Sequence, residues 1–176
     1  MGAIERFIAL PTDSSTRQVR ALGIDLGTTN STVSEVVWEP GKTPVCNVLE
    51  LTQSTQAGEY TSPLVPSILV ELPDKEVWIG EGAKRLRAFL QKANLIHEKN
   101  LFYETKNDMG LRKTYFRAPE RFNHACKIAG FILSFLKRDS IISICRSLRA
   151  TCPFLRRLCL SRERASTFSF TRVPKS

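Results

Sequence analysis

The chain has 176 residues, enough for one domain with a sizeable core. Its net charge of +9 is unevenly spread: residues 1–136 carry 16 Lys and Arg against 15 Asp and Glu, a balance of +1, whereas 137–176 carry 10 against 2, or +8. The basic character therefore belongs to the tail and is no sign that the body binds nucleic acid, and five cysteines without a C-x-x-C pair give zinc and redox sites no support.

The longest apolar run, 128–133, stops at Ser134, far short of the ~20 residues of a membrane span. No signal-peptide core is visible, and Arg6 stands where a myristoylation signal needs Ser or Thr. These features predict a cytoplasmic protein with reduced thiols.

Residues 1–19, with Pro11 and the cluster Asp13-Ser14-Ser15-Thr16, read as a flexible leader. A strand follows over 20–27, where Leu22, Ile24 and Leu26 alternate onto one face. At its end stand Asp25, Gly27, Thr28, Thr29 and Asn30. A glycine there lets the backbone bend and lets a phosphate approach peptide N–H groups. The two hydroxyls can donate to phosphate oxygens, and Asp25 is a hard oxygen ligand of the kind Mg²⁺ takes. The stretch outlines a nucleotide-phosphate clamp. Its plain alternative is a turn with no ligand, because Gly, Asn and Asp fill turns for local reasons.

A second strand is predicted over 30–38 and a third over 45–51, completing a β-meander around the Pro40-Gly41 turn. Residues 52–64, rich in Thr, Gln, Ser and Gly, read as a polar loop. Strands over 65–72 and 77–79, joined by a turn at 73–76, form a hairpin. A helix is predicted over 81–93, with Ala83, Leu86, Phe89, Leu90 and Ala93 on one stripe. Residues 111–117 (Arg112, Lys113, Tyr115 and Arg117 among them) read as an exposed loop rather than a base-stacking surface. The second helix spans 118–136. Pro119 lies in its first turn, Phe122, Ala125, Ala129, Ile132, Leu133 and Leu136 face the core, and His124 sits on its surface.

Three segments carry a family likeness. Gly23-Ile24-Asp25-Leu26-Gly27-Thr28-Thr29-Asn30-Ser31 resembles the first phosphate motif of the seventy-kilodalton heat-shock chaperones, within the actin-like ATPase superfamily. Val65-Pro66-Ser67, followed by Trp78-Ile79-Gly80-Glu81-Gly82-Ala83-Lys84, is similar to that family's Thr-Pro-Ser strand and Gly-x-x-Ala-Lys helix start. The stretch 100–110, around Lys106, resembles its Thr-x-Phe-x-x-Lys-Arg-x-Ile-Gly segment. FGGY-type carbohydrate kinases share the Asp-x-Gly-Thr-Thr opening without a counterpart to the other two.

The resemblance covers residues 20–136 and implies an α/β fold: an incomplete part of an actin-like (ribonuclease H-like) ATPase lobe, a β-meander with a hairpin and packed helices. It implies that Gly27, Thr28, Thr29 and Asn30 hold the phosphates of ATP, that Asp25 holds water-coordinated Mg²⁺, and that Lys106 faces the γ-phosphate and helps place the attacking water. Asn107 and Asp108 stand where the family shows Arg and an apolar residue. A solvated lysine is the plain alternative for Lys106.

After 136 the likeness ends, before the family's Val-Pro-Ala strand and its second glycine motif. Residues 137–176 form a basic tail, irregular or helical, read first as a non-native continuation such as a shifted frame. The competing reading is a cationic amphipathic helix on an anionic membrane, built on Ile141, Cys145, Leu148, Cys152, Leu155 and Cys159. Pro153 counts against it. The functional expectation is an N-terminal fragment of a chaperone-like ATPase, inactive alone because catalysis by positioning needs both walls of a cleft. Unfolded-protein clients and co-chaperones belong to a full-length parent only. The alternatives are a carbohydrate kinase fragment and a non-enzymatic basic protein working through its tail.

Overall fold

Residues 65–70, Val-Pro-Ser-Ile-Leu-Val, are buried along their whole length, and the other elements gather on both sides of them. The computed structural model describes residues 18–91 and 93–151, without the side chains of 148–151. Among these residues the fold is mixed α/β, with strands β1 (Val19–Asp25), β2 (Asn30–Trp38), β3 (Val45–Val48), β4 (Leu51–Thr55), β5 (Gly58–Ser62), β6 (Val65–Pro66), β7 (Leu69–Glu71), β8 (Val77–Ile79) and β9 (Leu101–Phe102). The two α-helices are α1 (Glu81–Arg87) and α2 (Ala125–Thr151).

The strands make three small antiparallel sheets. β2 is central to the first: β1 pairs with it along its length, β3 takes residues 34–37, and β6 meets Asn30 and Ser31. Its period-2 pattern turns Ser31, Val33 and Glu35 inward. β4 and β5 form the second sheet, and β7 joins β8 and β9 in the third. Leu69 enters the main core with Val33, Leu51, Phe102, Phe122, Ile132 and Leu136. Its neighbours Ile68 and Val70 face a second cluster with Ala83, Leu86 and Leu101. Apolar residues at both parities are what a strand buried on both faces requires.

The meander and the turn between β7 and β8 follow expectation, and five boundaries do not. The strand expected over 65–72 breaks at Ser67 and Ile68 into β6, paired with β2, and β7, paired with β8 and β9. The third strand, expected over 45–51, ends at Val48; Leu49 turns into the core and β4 begins at Leu51. The polar stretch 52–64 is not a loop but the β4–β5 hairpin, with Leu51, Gln53 and Thr55 alternating inward. The helix expected over 81–93 stops at Arg87. The Ala88 and Phe89 N–H groups bond carbonyls only three residues back, tightening the last turn. Phe89 and Leu90 are exposed, so within the helix the apolar stripe reduces to Ala83 and Leu86, while Ala93 beyond its end packs on the same cluster.

The helix expected over 118–136 starts later and ends later. A 3₁₀ turn (Glu120–Phe122) follows Pro119, and α2 then runs from Ala125 to Thr151. Leu133 lies outside, and Ile128 joins Phe122, Ile132 and Leu136 in the core. Ser140 is buried with its hydroxyl bonded back to the Leu136 carbonyl, and Ile144 packs on the same core. Ser143 donates to the Glu50 carbonyl at 3.1 Å and Arg146 to Thr52 at 3.2 Å. The first ten residues of the basic tail are therefore built into the fold against β4. Cys152, Pro153, Leu155 and Cys159 lie outside the described residues, as does the leader as far as Arg17. Among the described residues, no helix is long and apolar enough to cross a membrane.

Leu136→Ala should cost about 2–5 kcal/mol of stability, through lost burial and a cavity. Leu133→Ala should cost about 0.5 kcal/mol or less, the range of surface changes. Urea denaturation of the two variants checks the helix phase; equal losses would contradict it.

Candidate functional site

β1 ends at Asp25, the chain turns at Gly27, and β2 begins at Asn30. A Cβ at position 27 would fall on the Asn30 carbonyl oxygen, so the turn closes only around glycine. Its other support comes from β6. The pairing of Asn30 with Pro66 delivers the next residue, Ser67, beneath the turn. Its N–H donates to the Thr29 carbonyl at 2.9 Å and its hydroxyl to the Gly27 carbonyl at 2.8 Å. The same hydroxyl lies 2.9 Å from that of Ser31, and both serines are buried.

Lys106 belongs to a second tight piece, the 3₁₀ turn Thr105–Asp108, entered through Glu104 in the left-handed region at φ 56°. Thr105 is buried and Lys106 is exposed. Gly27 and Thr28 of one turn, Thr105 and Lys106 of the other, and Ser67 line one small cleft. Ala129 and Ile132 of α2 line the same cleft. The cavity there is about 10 Å³, room for a single water, so a larger ligand would lie over it. Lys106 is the one ionisable side chain in its lining. An ammonium beside hydroxyls and backbone amides, over an apolar wall, suits an oxyanion.

Gly27, Thr28 and Lys106 are thus brought together. Asp25, Thr29 and Asn30 are exposed and do not line this cleft. Asp25 lies opposite Thr32 in the ladder, on the sheet face away from Ile24. Sequence reasoning passes over Ser67 and Thr105 as site residues. The only local signal for Ser67 is a small hydroxyl placed directly after a proline in an otherwise apolar run.

Asp108 anchors the loop that carries Lys106. Its carboxylate accepts the Tyr115 hydroxyl at 2.7 Å and the Lys113 ammonium at 2.9 Å. Lys113 also reaches Glu98 at 2.7 Å. These bonds, Lys113 first and Tyr115 second, hold the Asp108 carboxyl below its ordinary range. Burial first, then the bond to Asp108, pushes the Tyr115 phenol up. Glu98 and Asp108 raise the Lys113 ammonium. Arg112 and Arg117 are exposed as expected of this loop, but Tyr115 is not. Its ring is buried against Phe102, with centroids 5.9 Å apart, and offers no platform for a base. His124 is exposed, as expected, with Nδ1 3.0 Å from the Lys113 carbonyl oxygen.

Among the described residues, no group of three or more His, Cys, Asp or Glu could hold a metal ion, so Asp25 stands as a single carboxylate. No protein-family model matches the sequence.

Ser67→Ala should lower stability by about 1–3 kcal/mol, because it leaves the Gly27 carbonyl and the buried Ser31 hydroxyl without their shared partner. Thermal or urea unfolding checks this. Asp108 has a depressed folded-state pKa, so its contribution is present above the ordinary carboxylate value and is lost as pH falls through the folded one. Asp108→Asn should therefore flatten the acid limb of the stability profile, on the acid side of the ordinary carboxylate range. An unchanged acid limb would mean that the Lys113 and Tyr115 contacts do not discriminate the charged form.

Proposed function

We propose that residues 20–136 are the phosphate-binding N-terminal part of a heat-shock-chaperone-like, actin-related ATPase lobe. One observation carries the reading. The Gly27–Thr28 turn and Lys106, distant in sequence and matched to two separate motifs of that family, line one cleft with Ser67.

In this reading the backbone and hydroxyls of Gly27, Thr28, Thr29 and Asn30 bind the β- and γ-phosphates of ATP. Lys106 lies over them as a compact point charge that orients the attacking water. Asp25 is the residue to hold Mg²⁺: one exposed carboxylate suits a cation that keeps several waters and shares its remaining positions with phosphate oxygens. Bound there, Mg²⁺ would offset charge on the phosphates. Ser67 and Asp108 position the two turns without touching nucleotide.

Phosphate contacts alone give weak binding, since the apolar and ribose contacts of a nucleoside site supply much of the affinity for a nucleotide. The polypeptide by itself therefore binds Mg–ATP more weakly than micromolar and hydrolyses it negligibly. In this reading the location is cytoplasmic.

The test is an amide-resolved NMR titration with Mg–ATP to millimolar concentration. Shifts should appear at Gly27, Thr28, Thr29 and Lys106 and vanish in the Thr28→Ala/Thr29→Ala double variant. Absence of shifts at those amides would end the phosphate-clamp reading. Micromolar affinity by calorimetry would end the claim that the chain is inactive alone.

A further inference from the structure

We propose that a second cleft, formed by the β7–β8 turn, residues 99–100 and residues 117–119, binds a small phosphate monoester. It is an open depression of about 380 Å³, within the range of small-molecule sites. Three separate loops each bring one cation to it: Lys75, Lys99 and Arg117.

The charge there is unbalanced. Glu71 is the one carboxylate in the lining, and it is committed inward. Its side chain is 4% exposed and accepts Arg121 at 2.7 Å, with the Lys75 ammonium at 3.4 Å. Lys99 and Arg117 are exposed and have no ion-pair partner among the described residues. Three cations of the lining thus stand against one carboxylate, which Arg121 already holds from outside the cleft.

The loops that carry them are held in place. Arg121 also donates to the Lys75 carbonyl at 3.1 Å, which fixes a turn whose Lys75 backbone is left-handed at φ 70°. Such a conformation is uncommon for lysine and persists where neighbours impose it. Beside Lys99, the Asn100 side chain accepts the Ile96 N–H at 2.7 Å and donates to the Asn94 carbonyl at 3.1 Å. Cations set on constrained loops repel one another, and a ligand that neutralises them has only their side chains left to order.

The chemistry favours a dianion over a monoanion. A phosphate monoester carries roughly −1.5 to −2 near neutral pH, and a guanidinium takes two of its oxygens at once. A carboxylate offers −1. Pro73, Ala118 and Pro119 supply an apolar margin for the organic part of the ester. The cations ring one cleft instead of forming the extended stripe that a nucleic acid backbone would need. This inference does not depend on the ATPase reading.

Calorimetry on the full chain with phenyl phosphate, and with benzoate as the carboxylate comparison, tests the site. Phenyl phosphate should bind at least about tenfold more tightly than benzoate. Lys99→Ala and Arg117→Ala should each weaken it about tenfold, and the double variant should abolish it. Arg112→Ala, an exposed cation outside the cleft, should leave it unchanged. NMR titration of the unsubstituted chain should shift the Asn100 and Ala118 amides, giving the same answer without mutation. No binding, equal binding of benzoate, or an equal loss in Arg112→Ala would overturn the proposal.

Discussion

One hydroxyl, that of Ser67, sits where the chain leaves the first sheet and enters the third. Pro66 has no N–H to continue the ladder with β2, so pairing stops there and Ser67 takes over the connection. Its hydroxyl and amide hold the Gly27 and Thr29 carbonyls, and its partner Ser31 lies on the inward face of β2. Buried polar groups of this kind must be satisfied inside the protein because water cannot reach them. The position of the Gly27 turn against α2, and hence the whole candidate cleft, follows from that requirement.

The same rule recurs at other junctions. Gln53 is fully buried in β4, yet both ends of its amide are used: Oε1 accepts the Glu81 N–H at 2.8 Å at the start of α1, and Nε2 donates to the Leu64 carbonyl at 3.2 Å. Gly80, at φ 88°, stands where a Cβ would run into that side chain. Two buried carboxylates, Glu35 and Glu71, each face one guanidinium at 2.7 Å, from Arg20 and Arg121. Removing one member of such a pair strands a charge, so these contacts oppose alternative packings more than they add stability.

How much of this was legible depended on how local its cause is. β1, β2 and the β7–β8 hairpin announce themselves through alternating apolar residues and turn residues close in sequence. The β4–β5 hairpin does not, because two of its three inward positions are polar: Thr55 is satisfied by Ala57 and Gly58 within its own turn, and Gln53 by Leu64 and Glu81, partners that only the fold supplies. The end of α1 was hidden for the opposite reason: Phe89 and Leu90 are apolar and still exposed. The extension of α2 was masked by charge, since Lys137, Arg138 and Arg146 dominate a stretch whose packing is done by Ser140 and Ile144. In the candidate cleft, Gly27 and Thr28 come from one short motif and Lys106 from another. Ser67 and Thr105 became visible only once two distant turns were in contact.

β1 has one further consequence. All seven of its residues are exposed, Val19, Leu22 and Ile24 among them, and among the described residues only its β2 flank is paired. The opposite flank presents a row of amide and carbonyl groups in extended register, which is a template for strand addition by another molecule. Self-association through that margin grows with protein concentration. Concentrated preparations will therefore be lost to oligomers and precipitate at temperatures where the folded monomer still holds.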